Sequence, residues 1–258
     1  MVAFSDIISG ITPTVTTLPL FHSCDIYSLR GILTSKKLVT QRCDVFTTED
    51  LLYCFYGKPS YRSNLHESTN TLSNFPACFI LNTSALPVPY KVYPFDTGAF
   101  VKLPELKKQY FHRHMEVTHF LVGNEIDDAR ALVEKIYSTN MNYYNAKPTL
   151  QQQNIPVMNL EAISYLNLIS STGQSKFDDR VGSIEVLFNE NVELDLNTVE
   201  NIVIPKIFLD DPVVNSIITD ELNIANPIVY EIHRGDPIEY QALIISEVKS
   251  FLEKKSVI

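Results

Sequence analysis

The sequence predicts an α+β fold, and three observations carry that prediction. Strand-like runs rich in Val, Ile, Leu and Phe are mixed with helix-like runs, without the regular alternation that builds a parallel βαβ sheet. Neither G-x-G-x-x-G after a strand nor G-x-x-x-x-G-K-[ST] occurs, so the two common phosphate-cradling α/β folds have no support. Of the 258 residues, 45% are hydrophobic and 20% charged, which is enough apolar material for a substantial core and unlike a disordered chain.

The elements follow in order. Leu18-Pro19-Leu20-Phe21 reads as a short strand with His22 at its end. Asp25 caps a helix whose Ile26, Leu29, Ile32 and Leu33 fall at helical spacing, and Lys36-Lys37 suits the negative end of its dipole. Thr48 is expected to cap a short helix through Leu51-Leu52. Further helical faces are Ala129, Leu132, Val133, Ile136 and Tyr137, then Leu160, Ile163, Leu166 and Ile169. The strongest helix runs from Ile238 to Phe251, with Leu243, Ile244 and Val248 expected inside. Strands are expected at 77–81, 117–122, 182–188, 201–204 and 228–232.

Between these, 61–74 is polar and reads as an exposed loop, while 83–97, with Pro87, Pro89 and Pro94, reads as irregular connection. The segment 145–154, containing Gln151-Gln152-Gln153, reads as a loop over a pocket, a common use of long loops. The expected organisation is a single domain over 1–258, with a core at about 18–205 and a helical addition at 206–258.

Composition narrows the function. The formal net charge is -9 with acidic and basic residues interspersed, which excludes tight, sequence-independent nucleic-acid binding but leaves room for a local basic groove. The first residues lack a basic n-region, and no run approaches the roughly 20 apolar residues that span a bilayer. Cys24, Cys43, Cys54 and Cys78 form no C-x-x-C pair, so reduced thiols and a cytoplasmic, non-membrane protein are expected.

Three dispersed segments carry candidate chemistry. His22, at a strand end, offers a neutral imidazole to hydroxyl groups of a ligand; a structural bond to a backbone carbonyl is the plainer role. Tyr53, Phe55, Tyr56 and Tyr61 crowd around Gly57 and Pro59, with Lys58 and Arg62 beside them, a pattern that suits an aromatic ring and an anionic ligand as well as ordinary packing. Glu185 interrupts the apolar run of Ile184, Val186 and Leu187, where it is either a cleft-facing acid or a residue on the wet face of a strand.

Two other chemistries are less favoured. His112, His114 and Glu116 alternate as if on one strand face near His119, but Arg113 opposes a cation and no metal is expected. No G-x-S-x-G elbow supports a serine hydrolase.

In their order, the segments His22-Ser23, Ser28-Leu29-Arg30-Gly31-Ile32-Leu33, Phe55-Tyr56-Gly57-Lys58-Pro59-Ser60-Tyr61-Arg62 and Ser183-Ile184-Glu185-Val186-Leu187-Phe188 resemble the ADP-ribosyltransferase superfamily, and within it the toxin-like branch that modifies DNA bases. The resemblance implies a split, strongly bent antiparallel sheet flanked by helices and an NAD-consuming transferase of toxin or anti-phage type. It also implies roles. His22 and Ser23 would bind the NAD riboses, Tyr56 or Tyr61 would flank nicotinamide, Arg62 would contact cofactor or target, and Glu185 would be catalytic.

The acceptor would be a macromolecule, protein or nucleic acid. Cys24 stands where the family more often has a hydroxyl residue, and Ser183 departs from the acid-x-acid pattern of arginine-directed transferases. The competing expectations are a non-catalytic interaction domain of the same shape and an NAD hydrolase.

Overall fold

The computed structural model describes residues 2–60, 69, 71–102, 108–171, 180–233 and 237–258. Among them the strands are β1 (Leu20–Asp25), β2 (Lys37–Leu38), β3 (Gln41–Arg42), β4 (Asp50–Tyr56), β5 (Pro76–Leu81), β6 (Lys91–Tyr93), β7 (Glu185–Phe188), β8 (Val192–Glu193), β9 (Val199–Pro205) and β10 (Ile228–Tyr230). The main sheet runs β10-β9-β5-β1-β4-β7-β6, with β3 beside β4, while β2 and β8 pair separately. All these pairings are antiparallel except β10 on β9. The protein is therefore mixed in helix and strand, around a mostly antiparallel open sheet.

Helices α1 (Ile26–Ser35), α2 (Thr97–Lys102), α3 (Ile126–Tyr137), α4 (Asn140–Tyr144), α5 (Leu160–Ser170), α6 (Pro212–Ser216) and α7 (Pro237–Lys254) surround it. The Asp25 carboxylate accepts the Ser28 N–H at 2.8 Å, so the expected cap of α1 forms. At the other end Lys36 turns left-handed, φ 53°, and stops the helix. No helix among the described residues is long and apolar enough to cross a membrane.

The sheet centre is dry on both faces. All six residues of β5 are buried, as are all four of β7, which is why these runs read as nearly continuous apolar stretches. A second focus of packing is aromatic. Phe95 lies among Phe100, Phe111, Phe120 and Tyr165, with ring centroids 5.2 to 6.0 Å away. That cluster fixes the start of α2, helped by the Tyr165 hydroxyl on the Pro94 carbonyl (3.0 Å) and the Asp96 N–H on the Arg180 carbonyl (3.0 Å).

Three sequence expectations need correction. Thr48 caps no helix: residues 50–56 form β4, because Leu51 to Tyr56 are β-prone and find partners on both sides, in β1 and β7. The run 117–122 is not a strand; Val117–Phe120 is one 3-10 turn that buries Val117 and Phe120, satisfying its apolar residues at a spacing of three. The proline-rich segment 83–97 is not wholly irregular, since it contains β6 and leads into α2. Residues 206–258 contribute β10, within the expected strand 228–232, and α7, whose Ile244, Val248 and Leu252 join the same hydrophobic core as β5.

Candidate functional site

The site begins where β1 parts from β4. These strands pair at Leu20↔Tyr56 and Phe21↔Phe55, and their ladder then ends, whereas β1 stays paired to β5 along all six residues. Counting the β1–β4 register onward, Ser23 would face Tyr53. Instead the His22 imidazole takes the Tyr53 carbonyl, Nδ1 to O, 2.9 Å. A carbonyl can only accept, so Nδ1 carries the proton and Nε2 of the neutral ring keeps its lone pair. Burial lowers the His22 pKa below its ordinary value, against the pull of the Tyr53 carbonyl, and so favours that neutral form at pH 7.

Beside the parting strands lies a cavity of about 990 Å³, bounded by α1, the 37–45 segment and the start of α2. His22, Ser23, Cys43, Tyr53, Asp96 and Arg180 are in its wall. The Ser23 hydroxyl donates to Cys78 Sγ at 3.4 Å. Cys43 Sγ accepts the Val45 and Phe46 N–H groups (3.2 and 3.0 Å) and meets the Tyr53 hydroxyl at 2.5 Å. Burial, then the Cys43 bond, then the Glu185 charge all raise the Tyr53 pKa, so the phenol stays protonated. All four cysteines are free thiols.

Glu185 opens β7 in the row Phe21–Phe55–Glu185–Tyr93, two strands from β1, roughly 10 Å at the usual interstrand spacing. His22 is the residue after that row; alternation starts it from the opposite face to Phe21, and its ring turns into the gap between β1 and β4. Glu185 has no exposed surface. Its Oε2 accepts the Thr97 hydroxyl at 2.8 Å and the Thr97 N–H at 3.3 Å, while Oε1 has no hydrogen-bond partner among the described residues. Burial, then the nearby Asp96 carboxylate, push the Glu185 pKa well above 4.5, and the two Thr97 bonds work against them.

Asp96 is held from both sides. Its Oδ1 accepts the Ala99 N–H at 2.9 Å and its Oδ2 lies 3.6 Å from Arg180 Nη1. A Cβ at Gly98 would lie 2.9 Å from that Oδ1, so a side chain there would push the carboxylate aside.

The structure thus brings His22, Ser23 and Tyr53 to one cavity, with Glu185 behind the Asp96–Thr97 turn. Tyr56 is a correction. Its ring is fully buried, its hydroxyl accepts the Leu18 N–H at 3.0 Å, and it packs against Tyr143, so it belongs to the core and Tyr53 stands at the cavity in its place. Lys58 is likewise interior, its ammonium 5.1 Å from the Tyr143 ring centroid. Tyr61 and Arg62 lie outside the described residues.

The His112–Glu116 segment is turned rather than extended, so its side chains do not share a strand face, and His119 Nδ1 faces Glu161 at 4.0 Å. Among the described residues no group of three or more His, Cys, Asp or Glu is placed to hold a metal ion.

Cys43, Asp96, Thr97 and Arg180 were not singled out from the sequence. Only Asp96-Thr97-Gly98 carried a signal, an Asp placed to cap the turn before Ala99 and Phe100. No family model, curated protein or solved structure matches the chain.

Proposed function

We propose that the protein is an NAD-dependent ADP-ribosyltransferase acting on a macromolecular acceptor, protein or nucleic acid. The observation that carries this reading is Glu185 Oε1, a buried carboxyl oxygen with no hydrogen-bond partner among the described residues, next to a cavity whose wall holds His22 and Tyr53. A buried polar atom without a partner is costly and marks a place where a ligand group can complete the bonding. The cavity volume of about 990 Å³ suits an extended dinucleotide, at the upper end of small-molecule sites.

In this reading His22 Nε2 accepts a ribose hydroxyl and the Tyr53 ring lies against nicotinamide. Glu185 Oε1 accepts the 2′-hydroxyl and, once ionised, stabilises the positive charge that grows on the ribose. The bond from C1′ to the nicotinamide nitrogen breaks and its electron pair goes to that nitrogen. The acceptor's lone pair then forms the new bond to C1′, and its proton passes to Glu185. Because Glu185 has no exposed surface and is not in the cavity wall, this reading requires the wall beside it to open as NAD binds.

The test is to incubate the protein with labelled NAD and a cell lysate, following nicotinamide release and label transfer together. Release and transfer that fall about 10²-fold or more in Glu185→Gln are expected. Release with all label recovered as free ADP-ribose would replace transferase by NAD hydrolase, and no release with no NAD binding would leave a non-catalytic interaction domain.

A further inference from the structure

We propose that Thr97 is the positioning residue of this site, fixing one oxygen of Glu185 so that the other is held ready for the ligand. The inference rests on the functional reading above for what the second oxygen does, but not for the arrangement itself. Thr97 donates twice to the same atom, its hydroxyl to Oε2 at 2.8 Å and its N–H to Oε2 at 3.3 Å. A carboxyl group held at one oxygen by two donors from a single residue cannot rotate without losing both bonds. Oε1 is then fixed in direction as well, and it is the oxygen without a partner among the described residues.

The holder is itself held. Thr97 is fully buried, and the residues beside it are locked by the Ala99 N–H bond to Asp96 Oδ1, the Asp96 N–H bond to the Arg180 carbonyl, and the packing of Phe95 and Phe100. Burial explains why Thr97 should have some partner. It does not require both donors to converge on one oxygen of an acid and leave the other empty. The groups acting on Glu185 come from several elements: Asp96 and Thr97 at the start of α2, Cys43 after β3, Tyr53 on β4 and Tyr93 on β6. Among the described residues, both hydrogen bonds to the Glu185 carboxyl come from Thr97, and both favour its ionised form.

Thr97→Val removes the hydroxyl at nearly constant volume, and Thr97→Ser keeps it. For nicotinamide release from NAD, Thr97→Val is expected to lower kcat by about tenfold or more with KM changed less than about twofold. The rising limb of kcat against pH should move to higher pH, because a lost donor leaves Glu185 harder to ionise. Thr97→Ser should restore both. A Thr97→Val protein with unchanged kcat and pH limb overturns the proposal, as does a loss that Thr97→Ser fails to rescue.

If the wild-type protein releases no nicotinamide, the transferase reading fails and the positioning is decided separately. Infrared titration follows the protonated carboxyl band that Glu185→Gln deletes. An upward shift of its midpoint in Thr97→Val keeps Thr97 as the holder of Glu185, and an unmoved midpoint removes it. Thr97→Ala repeats both measurements if the valine protein does not fold.

Discussion

The two edges of β1 make an instructive contrast. On the β5 side, six consecutive pairs run from Leu20↔Leu81 to Asp25↔Pro76, and every β5 residue is buried. On the β4 side the same strand makes two pairs and then parts, leaving His22 and Ser23 half-buried beside the cavity. One edge is closed by backbone hydrogen bonds and apolar side chains. The other is held open by a side chain, since the His22 imidazole occupies the Tyr53 carbonyl that a continued ladder would bring opposite Ser23. A strand can therefore serve as core on one edge and as site on the other, and substitutions on the two edges should differ in kind.

The largest effect is expected on the closed edge. Phe79→Ala empties a fully buried position opposite His22 and should cost about 3–5 kcal/mol of stability, read by denaturant unfolding; a cost under ~1 kcal/mol would show that β5 repacks freely. Gly57→Ala comes next, at the end of the β4 run where the chain turns. Its φ is 74°, and a Cβ there would lie 2.4 Å from Leu18 Cδ1 and 2.9 Å from Tyr143 Cε1, so about 2–4 kcal/mol should be lost to strain and overpacking. A thermal midpoint equal to wild type would mean that Leu18 moves aside at little cost.

The open edge should behave otherwise. His22→Ala is expected to weaken NAD binding about tenfold, measured by calorimetry, while costing only about 1 kcal/mol of stability for the lost Tyr53 bond. Unchanged affinity would remove His22 from the binding role.

The smallest effect concerns Glu185 and has a sign set by pH. Its carboxyl is held well above 4.5 in the folded protein, so in the unfolded chain it ionises from about 4.5 upward while the folded chain keeps its proton. The contribution of Glu185 to stability thus falls as pH rises above about 4.5, until the folded carboxyl also ionises. Glu185→Gln has no such loss, so its thermal midpoint should exceed the wild-type value at neutral pH, with the gap closing toward pH 4.5. A gap of the same size at both pH values would place the cause in the amide's own contacts, not in ionisation.

Much of the fold was legible in the sequence. The Asp25 cap and the spacing of Ile26, Leu29 and Leu33 determine α1, because both signals are local and act within one turn of helix. The apolar runs at 77–81 and 201–204 likewise mark β5 and β9, strands whose both faces are covered. Glu185 in a strand was also readable, as a polar residue breaking an apolar pattern, whereas His22, read at a strand end, lies in the middle of β1. Residues 50–56 were not, because Leu51-Leu52 fits a helical turn as well as a strand and only the partners β1 and β7 decide between them.

The candidate site was decided almost wholly by tertiary structure. Tyr53 and Tyr56 lie three residues apart on one strand with the same side-chain chemistry, yet one lines the cavity and the other is sealed in the core, bonded to Leu18. Thr97 and Glu185 are 88 residues apart in the chain, and no local pattern links them. Their contact exists because the Phe95 and Phe100 cluster fixes the start of α2 beside β7. Short-range hydrogen bonding and periodicity, which a sequence displays, determined the elements. The pairing of distant polar groups depends on where the packed elements finally rest, and only the folded chain decides that.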